Sequence, residues 1–295
     1  MSEHPNKYYI PEQSKWPIIA AIGLFVTVIG AANFIQQSTD FVKNEGSLGL
    51  YLLIAGFLIL VYMMIGWFRD TIKESLAGLN SKQMDTSYRM GMMWFIFSEV
   101  MFFGAFFGAL FYTRLLTVPW LGGAGSNAMT HEVLWPTFQA MWPLVKTPDG
   151  TTLQAMGPWP LPFLNTALLI TSGIFLSIAH HGIKTNARRT VVINLGISIV
   201  LGFTFLCVQA YEYYHAYHAL GLTLHAGIYG STFFLLTGFH GLHVTIGATL
   251  LLIMWCRILK GHFNPDNHFA FEAAAWYWHF VDVVWIFLFF VVYWL

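Results

Sequence analysis

Charge is the scarcest feature of this sequence, because only 9% of its 295 residues are Asp, Glu, Lys or Arg. A soluble domain carries about 25% charged residues, so the composition excludes an ordinary water-facing surface. The 14 basic residues balance the 14 acidic ones, which leaves no net positive field to favour nucleic acid. The two cysteines, Cys207 and Cys256, both lie in apolar stretches, which excludes a disulfide framework and a cysteine-rich zinc module.

Hydrophobic residues are abundant, at 57% of the chain, and aromatic residues make up 18%. A helix needs about 20 apolar residues to cross a membrane, and seven runs are long enough. The sequence therefore predicts an all-α integral membrane bundle of seven transmembrane helices. The predicted spans are residues 17–36, 48–68, 90–113, 161–182, 190–211, 226–256 and 271–295.

Two features of these spans carry further expectations. The sixth is longer than a perpendicular crossing requires, so we expect it to tilt or to project beyond the bilayer. The polar segment Met1–Lys15 has neither an apolar core nor a small-residue cleavage site. No signal peptide is therefore predicted, and the first span is expected to serve as the targeting element.

Lysine and arginine are concentrated on one side of the predicted spans, and these residues favour the inner side of a membrane. The N-terminus is therefore predicted inside and the C-terminus outside. The inner set is Lys7, Lys15, Arg69, Lys73, Lys82, Arg89, Lys184, Arg188, Arg189, Arg257 and Lys260. The outer set is Lys43, Arg114 and Lys146.

The longest connection, residues 114–160, falls on the outer side and is rich in Pro, Gly and Trp. Pairs such as Trp135-Pro136 and Trp142-Pro143 cannot continue a helix, and their indoles suit the membrane interface. The segment shows no strand or helix period, so we predict a surface loop rather than a folded domain.

Several ionisable side chains lie deep in the predicted spans, where a charge costs several kcal/mol unless it is paired. Glu99 is in the third span and Asp282 in the seventh, at similar distances from the inner side. The sixth span supplies His240 and His243, which share a helix face because they are three residues apart, and His279 precedes Asp282 by the same spacing. The spacing predicts a shared polar layer near mid-membrane.

Three interpretations of this layer stay open on the residues alone. The groups are hydrogen-bonded packing anchors, or Glu99 is a relay in a proton pathway, or the histidines bind haem or a metal. A bis-histidine haem site needs histidines on two facing helices, whereas His180 and His181 are adjacent and near a helix end. The absence of Cys-x-x-Cys-His also excludes covalent haem attachment. His262 and His268, in the last inner loop, are explained by a turn.

Small residues predict where helices approach one another closely. Gly104 and Gly108 are four residues apart on the third span. One side of the sixth span likewise has little side-chain volume, because it carries Gly238, Gly241 and Gly247.

Two long motifs resemble the cytochrome c oxidase subunit III family. The run Gly230–Val244, GSTFFLLTGFHGLHV, is similar to the sixth-helix signature of that family, and Phe271–Trp285, FEAAAWYWHFVDVVW, is similar to the seventh. Shorter blocks match in order along essentially the whole chain: Trp16-Pro17, Trp67–Asp70, Ser98–Phe103, Asn165-Thr166 through His180-His181, and Gln209–Tyr214. The 114–160 loop is longer than in mitochondrial members, which suggests a bacterial protein of the aa3 type in the inner (plasma) membrane.

The resemblance implies an accessory, non-catalytic subunit of a proton-pumping translocase that reduces O2 to water in aerobic respiration. Such a subunit holds no redox centre and no metal, since haems and copper belong to subunits I and II, and cytochrome c is the electron donor to the complex. The family fold separates helices 1–2 from helices 3–7 by a V-shaped cleft that holds phospholipids. The implied organisation is an inner tail (1–16), a two-helix unit (17–68), an inner loop (69–89) and a five-helix bundle (90–295).

The inner flanks of two spans are candidates for phospholipid headgroup contacts. Lys and Arg attract an anionic phosphate by about 1 kcal/mol each near the membrane surface, and Trp67 suits the glycerol level. In the family, positions matching Glu74 and Arg257 contact lipid, and Glu99 matches a membrane-buried carboxylate. The predicted lipid-binding set is Trp67, Arg69, Lys73, Glu74, Arg257 and Lys260.

The family also implies support of proton uptake by subunit I on the inner side. Two other functions stay open from the residues: a proton-conducting transporter and a cytochrome b-like protein. A closer alternative is the equivalent subunit of a quinol oxidase. Those members commonly lack the first two helices, so the spans 17–36 and 48–68 favour cytochrome c as donor.

Overall fold

The computed structural model describes residues 13–38, 48–265 and 267–295. The predicted tail up to residue 12, with Lys7, and the connection that holds Lys43 lie outside the described residues. Among the described residues, seven helices are long and apolar enough to cross a membrane. The prediction of an all-α, multi-pass membrane protein is confirmed.

Most of the described helices are longer than the apolar runs that predict them, because polar residues beyond an apolar run can remain helical; the last long helix is the exception, since it ends at Leu288. The predicted second run ends at residue 68, whereas the helix continues to Leu76; the third begins at Lys82 rather than at residue 90. The long helices are α1 Trp16–Ser38, α2 Leu48–Leu76, α3 Lys82–Tyr112, α6 Leu161–Lys184, α7 Arg188–Ala219, α8 Ile228–Leu259 and α9 Phe269–Leu288. A π-helical segment, Phe289–Trp294, follows α9.

The chain forms two compact units, one up to Ser87 and one from Tyr88. In the first unit, α1 packs along α2 through glycines. A Cβ on Gly30 would lie 2.3 Å from the backbone nitrogen of Leu53, and one on Gly56 would lie 2.5 Å from that of Thr27. At one end of the helix pair, the indole N–H of Trp16 on α1 donates a hydrogen bond to Asp70 Oδ2 on α2 at 2.9 Å.

In the second unit, α6 to α9 pack around a core in which Trp278 and Trp285 are fully buried. Trp278 fits because Gly202 and Gly247 leave room for its ring: a Cβ on either glycine would lie within 2.8 Å of an indole carbon. Helix α3 joins this bundle through aromatic contacts, such as Phe107 against Phe287 with ring centroids 4.6 Å apart.

The segment predicted as a loop over residues 114–160 differs from that expectation in its first half. A π-helical turn Thr113–Thr117, α4 Val118–Leu121, a 3-10 turn Gly125–Asn127 and α5 Ala128–Leu134 follow α3 directly. These pieces are too short to give a period in the sequence, and Pro119 is tolerated because it lies in the first turn of α4, where no helical N–H donor is needed.

The second half of this segment is irregular and contains a tight turn at residues 147–151. The Thr147 hydroxyl donates to the Asp149 carboxylate, and the backbone N–H of Thr151 donates to it at 3.2 Å. These hydrogen bonds lower the pKa of Asp149, because they stabilise the ionised form.

Candidate functional site

Glu99 on α3 and His243 on α8 form a direct side-chain contact inside the second unit. His243 Nε2 lies 2.8 Å from Glu99 Oε2, and His243 Nδ1 lies 2.6 Å from the backbone oxygen of Phe239. Because a carbonyl oxygen only accepts, Nδ1 carries the proton on that side. The remaining contact is then either a carboxylic acid donating to neutral imidazole or an imidazolium donating to a carboxylate.

Aromatic rings surround this pair and keep its surroundings apolar. The centroid of the His243 ring lies 4.9 Å from Phe103, 5.8 Å from Phe102 and 6.4 Å from Tyr277. Such an environment strengthens the contact and makes the loss of either partner costly.

His240 is fully buried one helical turn from His243, but it contacts a different partner. Its Nε2 donates to the backbone oxygen of Val281 at 3.2 Å. The ring packs against Trp285 and Phe205, with centroids 5.0 and 5.7 Å away. His240 therefore joins α8 to α9 and is separate from the Glu99 pair.

His279 and Asp282 on α9 form a third polar contact, which faces α6. His279 Nδ1 lies 3.4 Å from Asp282 Oδ2, and its Nε2 lies 3.3 Å from Ser177 Oγ. Gly173 allows this approach, because a Cβ there would lie 2.4 Å from Asp282 Oδ2.

Among the described residues, the side chains of the predicted polar layer form three separate contacts. The reason is that residues at one depth on different helices point toward different neighbours. Depth follows from the sequence, whereas the facing partner depends on helix rotation, which the spacing does not fix.

The predicted lipid-binding residues of the first unit lie on the last turns of α2. Trp67 and Arg69 are exposed, and Trp67 stacks on Phe68 with centroids 5.7 Å apart. Lys73 forms an exposed ion pair with Asp70 at 3.4 Å, while Glu74 is partly buried. The helix extends past the apolar run and therefore presents these groups together.

At the end of α8, Arg257 and Lys260 differ in exposure. Lys260 is exposed, whereas Arg257 is only 7% exposed, with its guanidinium 4.4 Å from the centre of the Phe263 ring. The Nε of Arg257 is buried without a hydrogen-bond partner in the described part of the chain. Desolvation, and then the charges of these two cations, lower the pKa of His262.

The sequence did not predict two further contacts, one a partly buried ion pair and the other a buried hydrogen bond. Arg89 Nη1 donates to Glu272 Oε2 at 2.7 Å, and the Tyr293 hydroxyl donates to the buried Glu212 at 2.6 Å. The Arg89–Glu272 contact could have been predicted from the sequence, because both residues lie at the inner ends of predicted spans. The Glu212–Tyr293 contact could not have been predicted, since the final π-helical segment changes the helical register and therefore the direction of Tyr293.

Comparisons with known proteins cover nearly the whole chain. A family model described as cytochrome c oxidase subunit III matches residues 6–295. A protein named cytochrome c oxidase subunit 3 from Struthio camelus is 38% identical over 295 residues, covering 100% of this chain and 99% of the relative. Proteins of the same name from Danio rerio and Coturnix japonica share 38% identity over the same extent. None of these sources is a bacterium, so a bacterial origin stays a prediction.

The match in length and the identity over the full chain agree with the motifs of α8 and α9, and this chain belongs to the cytochrome c oxidase subunit III family.

Proposed function

We propose that this chain is an accessory subunit of a cytochrome c oxidase and itself carries no redox centre. The observation that supports the second part is how the membrane-interior histidines are used. His240 contacts a backbone oxygen, His243 contacts Glu99, and His279 contacts Ser177 and Asp282. Each is engaged in helix packing, and within the described part of the chain none has a ring contact with a second histidine, as bis-histidine haem ligation would require.

Within that complex, subunit I is the proposed direct partner and subunit II a further neighbour, with cytochrome c as electron donor. The proposed location is a bacterial inner membrane, with the N-terminus cytoplasmic and the C-terminus periplasmic. A quinol oxidase is the alternative complex. The presence of α1 and α2 favours the cytochrome c enzyme, because quinol oxidase members commonly lack those helices.

The proposed task of the chain is to hold structural phospholipid and thereby to stabilise subunit I and support its proton uptake. Arg257 supports this proposal, since its buried Nε lacks a hydrogen-bond partner in the described chain and a phosphate oxygen would supply one. Arg69 and Trp67, exposed on the last turns of α2, offer a cation and an interfacial ring. The V-shaped lipid cleft implied by the family stays a prediction.

A haem assay tests the proposed absence of a redox centre. The purified full-length chain is expected to give no haem signal in a pyridine haemochrome assay. Stoichiometric haem in that sample would contradict the proposal and would favour the cytochrome b-like alternative.

Removing headgroup cations is expected to strip phospholipid from the purified complex. Arg69→Ala and Arg257→Ala should each weaken lipid retention about fivefold, which corresponds to about 1 kcal/mol per cation. The double variant should lose activity faster during sustained turnover. Bound phospholipid per complex, measured by mass spectrometry, and the half-life of oxygen consumption are the two readouts.

Arg189→Ala is the matched control, because Arg189 is an exposed cation on the same predicted inner side outside the proposed lipid set. Unchanged lipid content in the double variant, or an equal loss in the control, would show that the headgroup assignment is wrong.

A further inference from the structure

Two histidines and a glutamate meet where the end of α6 contacts the start of α9. His180 lies in the last turns of α6, His268 immediately precedes α9, and Glu272 lies in the first turn of α9. One ligand atom from each of the three side chains lies within 4.8 Å of the others. All three residues are partly buried.

The two imidazoles each present a nitrogen that no other group of the described chain uses. His180 Nε2 and His268 Nδ1 are both buried without a hydrogen-bond partner. Buried polar atoms in native proteins usually have a partner, and two rings with such nitrogens in one cluster with a carboxylate point to a shared partner. The two rings meet edge to face, with centroids 6.0 Å apart and ring planes inclined by 63°.

Glu272 is oriented for this role by Arg89, whose Nη1 donates to Oε2 at 2.7 Å. A carboxylate has two oxygens. The contact with Arg89 therefore holds the Glu272 side chain in place while the carboxylate can still bind a cation. Groups that hold a metal-binding carboxylate in place in this way commonly raise metal affinity. Arg89 and Lys184, one turn beyond His180, also add positive charge, so the cluster must hold a cation through its ligand bonds rather than through a negative field.

We propose that His180, His268 and Glu272 bind one divalent transition-metal ion, with Zn2+ as the best fit. Imidazole nitrogen suits Zn2+, whereas Ca2+ and Mg2+ take oxygen ligands. In a tetrahedral zinc site with bonds of about 2.1 Å, ligand atoms lie about 3.4 Å apart. The widest pair here must therefore approach by about 1.4 Å, within reach of side-chain rotation.

The bound ion would clamp the end of α6 to the start of α9, with water in the fourth position. The inference departs from the sequence expectation, in which His268 is a turn residue and the chain binds no metal. It is independent of the lipid-binding proposal, because none of the three ligands belongs to the lipid set.

Equilibrium dialysis of the purified full-length chain against Zn2+, with metal counted by mass spectrometry, tests this proposal. One zinc per chain is expected. His180→Gln and His268→Gln should each weaken binding by about 10- to 100-fold, the range found even for groups that only support a ligand. His181→Gln and His262→Gln are the matched controls, since each removes a histidine that is near a ligand in sequence but outside the cluster, and they should bind zinc as the unmodified chain does.

A second readout does not depend on any variant. X-ray absorption at the zinc edge should give two imidazole nitrogens at about 2.0–2.1 Å and an oxygen shell. If a ligand variant does not fold, Glu272→Gln replaces it in the comparison, and the absorption spectrum of the unmodified chain decides by itself. The proposal is overturned by the lack of a saturable site, by equal losses in the His181 and His262 controls, or by a coordination shell without histidine.

Discussion

Replacing Gly30 by leucine is expected to separate α1 from α2 and to destabilise that pair by about 3 kcal/mol. Overpacking a closely packed interface costs about 1–3 kcal/mol when neighbours can shift. Here the first atom of the new side chain would lie 2.3 Å from the backbone nitrogen of Leu53. The backbone cannot rotate away as a side chain can, so we expect a cost at the upper end of that range.

Amide hydrogen exchange measures this effect locally, because regions that open independently lose protection independently. In Gly30→Leu, protection should fall across residues 16–38 and 48–76 and stay unchanged in α6 to α9.

Gly104→Leu is the matched control on another helix. No atom of the described chain lies within 4 Å of a Cβ at Gly104, and leucine has the better helix propensity by about 1 kcal/mol. The control should therefore keep its protection or gain some. Equal protection in the two variants would mean that α1 and α2 are not held by close glycine contact.

The glycine faces show what the sequence could and could not predict. The expected close approach on the sixth span is present at Gly241, where a Cβ would lie 2.8 Å from Gln209, and at Gly247, which faces Trp278. The same pattern at Gly104 and Gly108 on the third span meets no neighbour within 4 Å among the described residues. Spacing identifies a small-residue face, but the neighbour that fills it belongs to the tertiary structure.

The spans themselves were predictable because membrane crossing depends on a local property, the length of an apolar run. Helix ends were not, since polar residues beyond the bilayer, such as those after residue 68 in α2, remain helical. The placement of Glu99 and His243 inside apolar helices was likewise readable from the sequence, whereas the pairing of Glu99 with His243 rather than with His240 depends on the rotation of α8.

The Glu99–His243 contact gives the second large expected effect. In Glu99→Leu, the Nε2 of the largely buried His243 loses its partner, and an unsatisfied buried polar atom costs about 1–3 kcal/mol. Glu99→Gln retains a hydrogen-bonding group of similar size, so its loss of stability should be smaller, about 1 kcal/mol. Thermal unfolding of the purified complex measures both changes.

A double-mutant cycle separates the contact from the two side chains. Glu99→Leu combined with His243→Leu should recover most of the stability that Glu99→Leu loses, because replacing both members of a buried pair by apolar groups is often close to neutral. The haem spectra of the complex should be unchanged in every variant if the pair acts in packing. Strictly additive losses would show that the two side chains do not interact, and a lost haem signal in a complex that still assembles would give Glu99 a role at the redox centres.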